Sequence, residues 1–159
     1  MPFWLVPLLL VTDQVVKLYV LERVGVRAFD SFSQPIRNLF GIVDLTFVKN
    51  TGAAFGLFPG GAGWLVWISL AVGFGILVYF GYFDRSKTPL LGLVSWSLIA
   101  AGALGNAIDR LGRGWVVDFI DINRTGLGLL DNFPVFNIAD SCVVVGVILL
   151  LLPTRKRKW

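Results

Sequence analysis

Residues 64–83 read WLVWISLAVGFGILVYFGYF and residues 90–108 read LLGLVSWSLIAAGALGNAI, two stretches without one charged side chain. Crossing the hydrocarbon of a bilayer takes about 20 predominantly apolar residues in helical form, so each stretch reads as one crossing. Residues 3–21 and 136–152 are less clean but apolar enough for one crossing each. The whole chain agrees: 56% of its 159 residues are hydrophobic, 15% are charged, and the mean hydropathy is +0.77, outside the balance of soluble domains. The expected architecture is an all-α integral membrane protein, one membrane domain over residues 1–159, with transmembrane segments near 3–21, 64–83, 90–108 and 136–152.

The first segment carries Asp13 and Lys17. A charge near the centre of a membrane helix costs roughly 2.5 to 3.5 kcal/mol on insertion scales, but residues four apart share a helix face, and acid before base is the favourable order. The two are expected to pair while pointing into the bundle. The segment lacks a basic leader and an Ala-x-Ala cleavage site, so it does not read as a removable signal peptide.

An even number of crossings puts both termini on one side. The basic run Arg155, Lys156, Arg157, Lys158 and the connection holding Arg85 and Lys87 mark that side as cytoplasmic, because basic residues are retained there. The net charge of +4 is thereby read as a topology signal, and no nucleic-acid partner is expected. The single cysteine, Cys142, lies in an apolar stretch and reads as packing. Ala101 and Gly105 form a small-xxx-small pair of the kind that lets membrane helices approach closely.

The outer loops, near 22–63 and 109–135, hold the unusual residues. Val43, Leu45 and Phe47 alternate with Asp44, Thr46 and Val48, the period of a half-buried strand, so a small β-sheet is expected on the outer surface. The strand runs into Asn50-Thr51-Gly52-Ala53-Ala54-Phe55-Gly56, whose small residues permit a turn. The second loop, with Gly126, Gly128, Asp131, Asn132 and Pro134, reads as a turn-rich excursion.

The chain has no histidine. That removes Ser-His and Cys-His nucleophile pairs and any imidazole-based metal site; no metal is expected. Two carboxylates sharing a proton can still hydrolyse a peptide bond: the ionised one draws a proton from water while the protonated one hydrogen-bonds the carbonyl. Asp140 follows Phe136-Asn137-Ile138-Ala139, where Asn137 can cap the last helix and a first-turn Asp suits the helix dipole; capping and catalysis are both open for it. Asp118, in Trp115-Val116-Val117-Asp118-Phe119-Ile120-Asp121, has apolar flanks that favour a raised pKa, or it is a strand residue facing solvent, as Asp121 also could be.

Taken in order, Asn50-Thr51-Gly52-Ala53-Ala54-Phe55-Gly56, Gly102-Ala103-Leu104-Gly105-Asn106-Ala107-Ile108-Asp109-Arg110-Leu111, Val116-Val117-Asp118-Phe119 and Phe136-Asn137-Ile138-Ala139-Asp140-Ser141 closely resemble the lipoprotein signal peptidases, or signal peptidase II. Asp13 with Lys17 fits the same pattern, so the likeness spans nearly the whole chain. The resemblance implies a four-helix fold with a small outer sheet and an aspartic pair, Asp118 and Asp140. It implies that Asn50, Asn106, Arg110 and Asn137 position the substrate or the pair, and that Gly102 and Ala139 leave space beside it. Asp13, Lys17 and Asp109 would be structural polar residues, holding helices or Arg110 in place. The substrates implied are prolipoproteins whose cysteine carries a diacylglyceryl group, cut just before that cysteine by water. No cofactor is implied. The expected setting is the bacterial cytoplasmic (inner) membrane, with lipid as neighbour, a monomer as working unit and the site near the outer face.

From the residues alone, Asn50 is equally a turn residue, and Asn106, Asp109 and Arg110 could be the polar end of a membrane helix. Three rival readings compete with this one. A Ser-Lys peptidase would join Lys17 to Ser97 or Ser141, neither in a recognisable nucleophile context; no Gly-x-Gly-Asp motif of other membrane aspartic peptidases occurs. A small transporter would use Asp13 and Lys17 as an ion path, though four segments are few for repeated halves. A scaffold would leave the converging polar groups unexplained.

Overall fold

The computed structural model describes residues 2–25, 36–39, 41–52, 63–82, 88–123, 125–131 and 133–153. Residues 53–56 of the Asn50 motif, Arg85, Lys87, Asn132 and the basic run 155–158 lie outside the described residues.

Among the described residues there are four main helices, α1 (Leu5–Val20), α2 (Gly63–Tyr82), α3 (Leu90–Arg113) and α5 (Ile138–Leu151), with a single turn α4 (Gly128–Asp131) before the last. Of the described residues, α2 and α3 are long and apolar enough to cross a membrane. Helix α1 has 16 residues, but a 3₁₀ turn (Pro2–Trp4) precedes it and a π turn (Leu21–Gly25) continues it. Helix α5 has 14 residues, about 21 Å at 1.5 Å per residue, shorter than a bilayer core.

Helix α3 is the hub, packed against α1, α2 and α5. It is buried without interruption from Ile99 to Ala107, and that run is mostly alanine and glycine, so neighbouring backbones come close. A Cβ on Gly102 would strike the Ala139 carbonyl of α5, and one on Gly105 would press on Asp13 and on the Ala139 side chain. The expected close approach at Gly105 is therefore present, with Gly102 as its tightest point. Helix α3 also runs five residues beyond the expected end at 108, closing at Gly114 with φ +78° and an N–H bond to the Arg110 carbonyl. Glycine alone takes that left-handed position without strain. The polar end Asn106 to Arg113 thus stays helical.

The other faces of the helices are apolar and open, with Val11 and Val15 on α1, Trp67, Phe74 and Val78 on α2, and Val144 and Ile148 on α5 all exposed. That arrangement suits a lipid surround.

Among the described residues a sheet of three antiparallel strands, β1 (Ile36–Leu39), β2 (Val43–Asn50) and β3 (Val116–Ile122), runs in the order β1-β2-β3. Leu45 and Phe47 pack with Val117 and Phe119 against Val20 and Val24 at the end of the α1 segment, as the period-two pattern requires. Asp44, on the alternate face, is nonetheless buried and accepts a bond from Asn123 Nδ2 at 3.0 Å. Phe136 pairs with Ile120 at the far edge of β3, so the chain passes directly from the sheet into α5.

Candidate active site

Three elements deliver the site. Strand β3 begins two residues after α3 ends, which brings Asp118 beside the polar end of α3; the Phe136 bridge holds the start of α5 against the same strand. Asn137 caps α5: its Oδ1 accepts from the Asp140 N–H at 2.9 Å, and Asp140 Oδ2 accepts from the Asn137 N–H at 3.2 Å. This reciprocal capping box satisfies two orphan donors of the helix. The capping reading of Asp140 is thus correct as far as it goes.

The same Asn137 also reaches the other carboxylate. Its Nδ2 donates to Asp118 Oδ1 at 2.7 Å and to Asn106 Oδ1 at 3.2 Å. Asn106 Nδ2 donates to Asp140 Oδ1 at 2.7 Å, while Asn106 Oδ1 also accepts from Lys17 Nζ at 3.2 Å. Asn50 Nδ2 completes the set with a 2.7 Å bond to Asp118 Oδ2, and Asn50 Oδ1 takes the Gly52 N–H at 2.8 Å. Asn50 therefore shapes its turn and holds Asp118 at once. Asp118 is 2% exposed, which excludes the solvent-facing reading for it, whereas Asp121 is half-buried.

Burial pushes the Asp118 carboxyl up to about 6, and the negative charge of Asp140 pushes the same way. The amides of Asn50 and Asn137, by bonding the charged form, and the more distant charge of Lys17 oppose this, but burial outweighs them.

Arg110, half-buried, lies close enough to Asp118 and Asp140 for both charges to act on it. Its guanidinium makes a long 3.5 Å contact with the Asn106 carbonyl, and its Nε is buried without a partner among the described residues. Beside it opens a groove of about 340 Å³ between α2, α3 and α5, walled by Ile68, Val72, Gly102 and Val143, with Asn106, Arg110 and Asp140 at its polar end. Ala139 is buried and forms the tight seam with Gly102.

A second polar cluster lies beneath. Lys17 Nζ meets Asp13 Oδ2 at 2.8 Å and Asp109 Oδ2 at 2.9 Å, all three fully or almost fully buried. The i,i+4 pair expected within α1 is present. Asp109 pairs with Arg113 and accepts the Val117 N–H at 3.1 Å, while its charge also acts on Arg110. Four residues along a helix share a face and one does not, so Asp109 selects Arg113. Gln14 was missed in the sequence: its Nε2 spans Asp13, the Gly105 carbonyl and Asp109 at 3.2 to 3.3 Å. A third polar side chain beside Asp13 and Lys17 was the available signal. Ser97 Oγ turns back to the Leu93 carbonyl, and Ser141 Oγ to the Asn137 carbonyl, so neither bonds Lys17.

A helical bundle with open apolar faces, and carboxylates and amides gathered where helix meets sheet, fits a small membrane enzyme. Solved structures agree: the chain superposes on a bacterial membrane enzyme determined by the in meso method with a TM-score of 0.73 and 32% identity, covering 93% of this chain and 88% of that one. A second structure described in the same way gives 0.72 and 32%, covering 93% and 83%. The family model for signal peptidase (SPase) II matches residues 5–155, and the chain belongs to that family. Lipoprotein signal peptidases of Microcystis aeruginosa and Gloeothece citriformis are 41% and 42% identical, over 98% and 94% of this chain and 93% and 86% of theirs. That of Syntrophomonas wolfei is 43% identical over 91% of this chain and 86% of its own.

Proposed function

We propose that the chain is an aspartic endopeptidase of the bacterial cytoplasmic membrane that removes signal peptides from diacylglyceryl-modified prolipoproteins, cutting before the lipidated cysteine. The observation that carries this reading is Asn137, whose one side chain bonds Asp118 and the backbone of Asp140 together. In this mechanism the two carboxyls share one proton. The ionised member takes a proton from water as its oxygen attacks the scissile carbonyl, and the protonated member donates to the carbonyl oxygen. Collapse of the tetrahedral intermediate breaks the C–N bond, and a carboxyl proton passes to the leaving amine of the cysteine.

Asn50, Asn106 and Asn137 hold the carboxylates, and Arg110 faces the groove with donors to spare for substrate carbonyls. Gly102 and Ala139 keep α3 and α5 close behind the pair. The apolar wall of the groove suits acyl chains that stay in the bilayer while the scissile bond meets the carboxylates. In this reading residues 1–159 form one monomeric membrane domain with four crossings. Both termini are cytoplasmic, and the short α5 is accommodated by local thinning of the bilayer. The charge network of Asp13, Lys17 and Asp109 is structural.

The test is cleavage of a diacylglyceryl-modified prolipoprotein by the purified protein in detergent, comparing parent, Asp118→Asn and Asp140→Asn at equal folded amounts. The parent cuts before the lipidated cysteine and both variants are inactive. Normal cutting by either variant would remove that residue from the catalytic pair.

A further inference from the structure

The loop joining β3 to α5 is built inside out. Asp131 Oδ1 accepts from the Thr125 N–H at 2.7 Å and from Thr125 Oγ1 at 2.8 Å. The Leu127 N–H donates to Thr125 Oγ1 at 3.1 Å, and the Asp131 N–H returns to the Leu127 carbonyl at 3.1 Å. Gly126, at φ +75°, makes the turn. The polar groups close on one another, while Leu127, Leu129 and Phe133 stand 61%, 92% and 50% exposed. Among the described residues, a tip whose Thr125 and Asp131 bond each other while large apolar side chains stand out is arranged for an apolar surround.

The position of the tip says which surround. The loop leaves the sheet at Asn123, whose N–H is bonded to the Ile42 carbonyl, and returns at Phe136, bridged to Ile120. Phe133 precedes the α5 cap by four residues, and an extended chain spans at most about 3.6 Å per residue, so it lies within about 15 Å of the start of α5. From there α5 carries exposed Val144, Val147 and Ile148 along its flank, and α3 shows exposed Ile108 and Leu111 at the same end of the bundle. The tip thus lies at the end of the bundle where these apolar flanks begin. At the start of β3, Trp115 lies under the Lys49 ammonium at 5.4 Å and meets Phe47 edge-on at 5.7 Å, the aromatic and basic pairing favoured at membrane interfaces.

We propose that Leu127, Leu129 and Phe133 are seated in the interfacial layer of the bilayer, anchoring the sheet edge that carries Asp118 to the membrane surface. The inference rests on the membrane-spanning reading of α2 and is separable from it. The experiment places a nitroxide at Leu127→Cys, at Leu129→Cys and, as reference, at Val78→Cys on the exposed flank of α2, each in the full chain with Cys142→Ala, in phosphatidylglycerol-containing nanodiscs. Collision with oxygen is compared with collision with a water-soluble nickel chelate. The expected result is oxygen collision several-fold above nickel at all three positions. Nickel-dominated collision at 127 and 129 with Val78 in lipid overturns the anchor alone; nickel access at Val78 overturns the membrane reading with it. Labels that lose nickel access only when a prolipoprotein is added also overturn the anchor, in favour of a peptide contact.

Discussion

Two buried polar clusters share the same end of this bundle, and they are solved differently. Asp13 and Asp109 are neutralised by cations, Lys17 between them and Arg113 at the rim. Among the described residues, Asp118 and Asp140 receive only neutral donors at hydrogen-bond distance: Asn50, Asn106, Asn137 and the capping N–H. A carboxylate locked against a buried cation is held in one state, because removing either partner strands a charge. A carboxylate held by amides keeps its geometry while its proton stays free to move. Lys17 links the clusters through Asn106 Oδ1, which fixes the amide so that its Nδ2 faces Asp140.

The comparison breaks first at the pair itself. Asp118→Asn and Asp140→Asn each lower kcat/KM by about 10,000-fold or more while folded yield stays that of the parent. A variant that loses fold instead of turnover would place that residue with the structural cluster. Conversely, Lys17→Met leaves Asp13 without its cation and lowers stability by about 3 to 5 kcal/mol, read as the unfolding midpoint in detergent; an unchanged midpoint would dissolve the distinction. Asn137→Ala removes the cap, at a cost of about 1 kcal/mol, and also frees Asp118, so turnover falls further than that loss of stability explains.

The pH dependence sharpens the same contrast. Asp118 is raised from 3.8 to about 6, so between those values the folded chain holds a proton that the unfolded chain has lost. Its contribution to stability is present at the acid end and lost as pH rises through about 6. Cleavage follows a bell whose alkaline limb is the loss of the shared proton. Because the Asn50 amide bonds the charged form and lowers the value, Asn50→Leu moves that limb to higher pH; a limb that stays put would show that Asn50 only shapes its turn. The smallest effect belongs to Ser97→Ala, which deletes a bond to the Leu93 carbonyl. Cleavage is unchanged and stability moves by less than about 1 kcal/mol, whereas a Ser97-Lys17 mechanism would lose all activity.

Much of this was legible in the chain. Runs without charge at 64–83 and 90–108 announce helices because a backbone in lipid must satisfy its own hydrogen bonds, and the i,i+4 spacing of Asp13 and Lys17 fixes their pairing within one helix. The alternation from Val43 to Val48 gave the strand and its inner face, and Asn137 with Asp140 has the spacing of a capping box. Local periodicity and local hydrogen bonding decide these features, and both are written in neighbouring residues. The tertiary structure alone decided which distant groups meet: Asn50 with Asp118 across 68 residues, Asn106 with Asp140 across 34, and Asp109 with Arg113 and Lys17 instead of Arg110. It also decided that Asn50 and Asn137 each do two things at once. Such pairings depend on the register of β2 on β3 and on the closeness of α3 to α5 at Gly102, which are set by packing between elements and leave no periodic mark in the sequence.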